Sequence, residues 1–138
     1  MNRELLIANA LVVSSKSCTP ADILVSDGKI AALLAPGSSC EAEKVIDVKG
    51  RHVMPGCVDG HTHMMDPGYT DREEFETGTM AAAVGGITTI VDHHRTLPAV
   101  YSVGSLLEKI DYLSQRACVD FGLKGGISPD NVEELQAM

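Results

Sequence analysis

"PGCVDGHTH", residues 55–63, is the stretch on which the reading of this chain turns. Pro55-Gly56 breaks the preceding structure, and Cys57 to His63 reads as a strand that ends on two histidines one residue apart. In a strand, residues i and i+2 project to the same side. His61 and His63 therefore present two imidazoles to one place. Imidazole is a common ligand for zinc and related divalent metals. Alone, the His-x-His pair suits a metal site and plain hydrogen bonding about equally, so its surroundings must decide.

Upstream, residues 1–54 carry strand and turn signals only. "LLIANALVV" is apolar, and Asp27-Gly28 separates two apolar stretches in "ADILVSDGKIAALLA", which predicts a hairpin. "KVIDVKGRHVMPG" repeats the pattern with a Lys49-Gly50 turn, giving a small β meander. The opening "MNRELLIANALVV" superficially resembles a signal peptide. Glu4 offsets Arg3, the apolar run is short and no small-residue cleavage site follows, so it reads as a strand.

Downstream, strands and helices alternate. Thr70 to Glu73 forms a capping-box pattern that predicts a helix with Phe75, Thr79, Ala82 and Ala83 on one apolar face. Gly85-Gly86 ends it, and "ITTIV" at 87–91 is a β-branched run of the kind buried on both faces. Ser105 to Glu108 predicts a second capped helix through "LLEKIDYLSQRA", "CVDFGL" a third strand, and Ser128-Pro129 a third helix. Strand–helix alternation implies βαβ units and a parallel sheet. The fold class is α/β, with boundaries at 1–54 and 55–138. A (β/α)8 barrel needs roughly 250 residues, and only three strand–helix pairs fit here. A three-stranded parallel sheet also leaves an open edge, so the chain reads as the front of a longer protein.

Composition excludes several classes. A net charge of −8 argues against nucleic acid or an anionic membrane as partner. No apolar run approaches the roughly 20 residues that span a bilayer. Cys18, Cys40, Cys57 and Cys118 are scattered without a Cys-x-x-Cys pair, which fits reduced thiols in the cytoplasm. "DFG" at 120–122 has none of the other kinase motifs and is not read as one.

The segment "VMPGCVDGHTHMMDPGYTDREEFETGTMAAAVGGITTIVD" resembles the start of the catalytic barrel in the cyclic-amide branch of the amidohydrolase superfamily. That branch contains allantoinases, dihydropyrimidinases (hydantoinases) and dihydroorotases. Its D-x-H-x-H and E-x-F-x-x-G-T-x-A-A-x-x-G-G-x-T-T elements carry the likeness, which extends back through the N-terminal strands and forward through "VDFGLKGGIS".

The resemblance implies a small β-sandwich portion over 1–54, followed by the first three strand–helix units of a metal-dependent (β/α)8 TIM barrel. It implies that His61 and His63 bind the more buried of two divalent ions, zinc being the expected metal. A bridging carboxylated lysine, two further histidines and an acid/base aspartate are expected beyond residue 138; Lys124, on the third strand, is not assigned the lysine's role. The implied reaction is attack of metal-bound hydroxide on a cyclic amide carbonyl. The implied partners are a small cyclic amide and further copies of the chain, commonly as a tetramer.

Within that frame, Asp59 shares a strand face with His61 and either orients an imidazole or stabilises a turn. His93, His94 and Arg95 follow the second strand, where they either contact substrate or form a solvated loop. Met65 stands where dihydroorotases of this branch carry the arginine of H-x-H-x-R that grips the substrate carboxylate. His52 reads as structural, and Met64, Met65 and Met80 as packing in preference to chemistry, Met65 being also the position open to substrate. The activity is read as allantoinase-like, with a dihydropyrimidinase/hydantoinase or dihydroorotase as the alternative. A non-catalytic paralogue or an inactive fragment is the rival from outside enzymology.

Overall fold

The computed structural model describes residues 3–138; Met1 and Asn2 lie outside the described residues. Two compact units divide the chain at Pro55–Gly56.

In the first unit, β1 (Arg3–Val13), β2 (Cys18–Ser26) and β3 (Lys29–Leu34) form an antiparallel meander. The expected hairpin is present: Ser26 pairs with Lys29, and Asp27 and Gly28 take φ of 52° and 68°. Two successive positive φ values are those of the type I′ turn, whose twist matches the flanking strands. The Lys49-Gly50 turn behaves differently. β4 (Lys44–Asp47) and β5 (His52–Val53) both run parallel to β1, with Ala8 opposite Asp47 and Leu11 opposite His52. Lys49-Gly50 therefore makes an in-line excursion and not a hairpin, because β1 bends beside it. Asn9 in β1 has φ 58°, and its carbonyl accepts from the Gly50 N–H at 2.7 Å. The sheet order is β3-β2-β1-β4, so the meander holds for three strands only.

Asp22 fixes this bend from the other side. It is 2% exposed, and its two carboxylate oxygens accept from the Asn9 N–H at 2.7 Å and the Gly37 N–H at 3.0 Å. Ile30 and Leu33 lie largely exposed, on an open apolar concavity shared with Val12, Val25, Val53 and Met54.

In the second unit, β6 (Cys57–Thr62), β7 (Ile87–Asp92) and β8 (Asp120–Leu123) form a parallel sheet in that order, with α1 (Phe75–Val84) and α2 (Val103–Ser114) as connections. Phe75, Ala82, Ile90 and Leu113 form its core, with Phe121 set edge-on to Phe75. β7 buries Ile90 and Asp92 on one face, leaves Thr88 on that face exposed, and half-buries Ile87, Thr89 and Val91 on the other, so full burial on both faces is not met. On α1 the buried face is Phe75, Gly78, Thr79 and Ala82; Ala83 is exposed. The Met64 thioether lies close against α1 at Gly78, where an added Cβ would meet its sulfur.

The helix starts depart from the sequence reading. α1 begins after Glu74, with no side-chain cap from Thr70. Asp66 instead accepts from the Phe75 N–H at 3.1 Å, a buried carboxylate placed at the positive end of the helix. α2 is capped by Ser102, with Ser105 completing the box from the third position. The helix expected after Ser128-Pro129 is a short 3-10 turn at Val132–Glu134. Asn131 takes the backbone groups there, donating to the carbonyls of Tyr101 and Gly126 and accepting from the Ser128 N–H. Among the described residues, no helix is long and apolar enough to cross a membrane. The four cysteines are free.

Candidate metal centre

The site lies at the C-terminal ends of β6 and β7. Thr62 pairs with Asp92 across these strands, and the Thr62 hydroxyl donates to Asp92 at 3.4 Å, so both side chains lie on one face of the sheet. Alternation sends their neighbours His61, His63 and His93 to the other face. His61 and His63 approach to 3.2 Å between Nε2 atoms. The His93 ring is 4.0 Å from His61 and 4.5 Å from His63, centre to centre, stacked on the latter. One ring nitrogen from each of the three falls within 4.8 Å of the others.

The opposite face carries a buried ion pair. Lys109 of α2 donates to Asp92 at 2.8 Å, with side chains 3% and 1% exposed. Lys109 also donates to the His93 carbonyl at 2.9 Å, and Asp92 accepts from the Met64 N–H at 2.8 Å. The His93 N–H in turn donates to the Thr62 carbonyl at 3.1 Å. The backbones carrying His63 and His93 are thus both tied to one ion pair. Lys124, directly after β8, adds a tether by donating to the Gly60 carbonyl at 2.6 Å.

Partial burial pushes the His93 imidazole below its usual pKa, reinforced by His61, His63, Lys124 and His94 nearby. Burial does the same to His94, helped by Arg95, His63 and Lys109. Both shifts favour the neutral ring, the form that ligates a metal.

The other candidates fall as follows. Asp59 accepts from the His61 backbone N–H at 3.1 Å, the turn-stabilising alternative, with no bond to an imidazole ring. His94 sets its ring edge-on to Tyr101, and Arg95 is exposed. Met65 is half-buried and its carbonyl accepts from the Tyr69 N–H. Met64 packs on the core, whereas Met80 is 46% exposed. His52 lies on β5 in the first unit.

The model of the amidohydrolase family matches residues 52–130. The chain belongs to the amidohydrolase family. It is 44% identical over 136 residues to an L-hydantoinase of Paenarthrobacter aurescens, covering 98% of this chain and 30% of that protein. It is 40% identical over 137 residues to an allantoinase of Streptomyces avermitilis, covering 98% of this chain and 31% of that protein. The solved L-hydantoinase (dihydropyrimidinase) from Arthrobacter aurescens superposes with a TM-score of 0.92 at 44% identity, over 99% of this chain and 30% of that one. The chain thus spans about a third of the length of these relatives. Its mixed α/β architecture is that of the N-terminal part of the hydantoinase structures.

Sequence reading missed Asp92 and Lys109. A lysine on an amphipathic helix ordinarily reads as a solvated residue with its stem laid along the surface. The available signal was position: Lys109 falls at helical spacing between Leu106 and Leu113, the buried residues of α2. A charge in the middle of an apolar stripe requires a buried partner.

Proposed function

We propose that this chain is the metal-binding front portion of a hydrolase that opens cyclic amide rings. The observation that carries the reading is the approach of His61 and His63 in a member of the amidohydrolase family. The donor set fits a divalent ion. At a zinc–nitrogen distance of about 2.0–2.1 Å, tetrahedral ligands stand about 3.3 Å apart, against 3.2 Å between these Nε2 atoms. In this reading residues 1–54 belong to a small β-sandwich and residues 55–138 open a (β/α)8 barrel. Two zinc ions, a cytoplasmic location and a homo-oligomer go with it. In this reading a bridging lysine, two further histidines and an acid/base aspartate complete the site, and no residue of this chain is assigned to them.

When bound, the metal supplies Lewis acidity and brings the ionisation of water near neutral pH. This chain contributes placement. His61 and His63 hold the ion, and the Asp92–Lys109 pair fixes the strand ends that carry them, so imidazole positions are set before substrate arrives.

Met65 supports an uncharged ring as substrate. A thioether offers none of the bidentate, charge-assisted contacts that arginine makes with a carboxylate. Losing such a contact in a partly desolvated pocket costs about 2–5 kcal/mol, at least about tenfold. Allantoin and a 5-substituted hydantoin both satisfy the reading, and identities of 40% to an allantoinase and 44% to an L-hydantoinase support keeping both. Steady-state rates of the complete enzyme on allantoin, a 5-substituted hydantoin and dihydroorotate, at matched metal loading, test it. The expected kcat/KM for dihydroorotate is at least about tenfold below the better of the other two. A value above both would overturn the reading and point to Arg95 as the carboxylate partner.

A further inference from the structure

We infer that His93 is a third metal ligand, so that β6 and β7 together present a three-imidazole donor set contained within this chain. The inference rests on the reading that His61 and His63 bind metal, and it gives His93 a different task from substrate contact.

Three observations carry it. The first is parity. Because Thr62 and Asp92 are paired and joined on one face, His93 must emerge on the same face as His63, from the neighbouring strand end. The second is restraint. The His93 N–H is held by the Thr62 carbonyl and the His93 carbonyl by the Lys109 ammonium, so both backbone groups are fixed. The third is an unmet need. The His93 Nε2 is buried without a hydrogen-bond partner, although a buried polar nitrogen ordinarily has one. A metal ion accepts a lone pair that no protein donor here satisfies.

The donor atoms lie within 4.8 Å of one another, and because His93 is stacked on His63 its ring must rotate for both to reach one ion. Three nitrogens from this chain would then join the bridging lysine of the proposed site, in place of two.

Aromatic packing is the competing explanation, since His93 stacks on His63. His93→Phe separates the two, because it keeps a ring and removes the nitrogens. Zinc titration of the 138-residue chain is to be compared with His61→Ala, His63→Ala, His93→Ala and His93→Phe. Circular dichroism reports whether each variant is folded. Zinc-edge X-ray absorption of the wild type counts imidazoles per ion independently of any variant.

The expected result is three imidazoles per zinc, with affinity lowered by roughly tenfold or more in both His93 variants, since even the outer partners of metal ligands carry that much. Two imidazoles per zinc would overturn the inference, as would wild-type affinity in His93→Phe. If that result came with weakened binding in His61→Ala and His63→Ala, the paired-histidine reading would stand without His93. Wild-type affinity in all four variants would remove both.

Discussion

Asp22 in the first unit and Asp92 in the second are both almost completely buried, and the two serve different ends. Asp22, 2% exposed, spends both oxygens on backbone N–H groups, at Asn9 and Gly37. It holds a bend in a strand, with the Asn9 φ of 58° beside it. Asp92, 1% exposed, accepts one backbone N–H from Met64 but faces the Lys109 ammonium, with three histidines on the opposite face of the sheet. Burial alone does not mark a functional carboxylate. What distinguishes Asp92 is that its carboxylate and the lysine paired with it hold the backbone beside His63 and at His93.

The largest effect that could break this contrast is expected at Lys109. Lys109→Met leaves Asp92 buried without its counter-ion, which costs about 3–5 kcal/mol. Urea unfolding followed by circular dichroism measures it. Zinc affinity should fall as well, because the His93 carbonyl and the Met64 amide lose their common anchor. A stable variant with unchanged zinc binding would reduce the ion pair to an incidental feature.

Asp22→Ala should give a smaller loss, about 1–3 kcal/mol for backbone donors left unsatisfied, with zinc affinity unchanged. The same two measurements apply. Weakened metal binding here would erase the difference between the aspartates.

The smallest effect concerns pH. His93 and His94 both have lowered pKa values in the folded chain, so the unfolded chain binds more protons once the pH falls below about 6.5. Metal-free protein should therefore hold its full stability above that pH and lose part of it on acidification below. His94→Gln should reduce the loss. Urea midpoints on either side of about pH 6.5 decide it, and an equal slope in the variant would remove His94 from the account.

Much of the architecture was legible because short-range chemistry dictated it. Asp27-Gly28 tolerates two positive φ values and gives a hairpin, and the β-branched run at 87–91 gives the middle strand of a parallel sheet. Period-two alternation alone puts His61 and His63 on one side. Reading failed where a partner came from far along the chain. Thr70 lost its predicted cap to Asp66, which reaches the α1 terminus through a loop fold that no local pattern encodes. Lys49-Gly50 has hairpin chemistry, yet the neighbouring bend at Asn9 turns it into an excursion. Ser128-Pro129 has a helix-start signal, but the Asn131 side chain ties this segment back to the carbonyls of Tyr101 and Gly126. His93 needed the register of β6 on β7, and register is a property of pairing.

The central claim is that the histidine pair at the end of β6 holds the metal of a cyclic amide hydrolase. Metal analysis by plasma emission on the purified complete enzyme, with His61→Ala, His63→Ala and His52→Ala, tests it most directly. The account predicts that the first two lose most bound metal together with ring-opening activity, while His52→Ala, altered in the other unit, retains both. Wild-type metal content in His61→Ala and His63→Ala would contradict it.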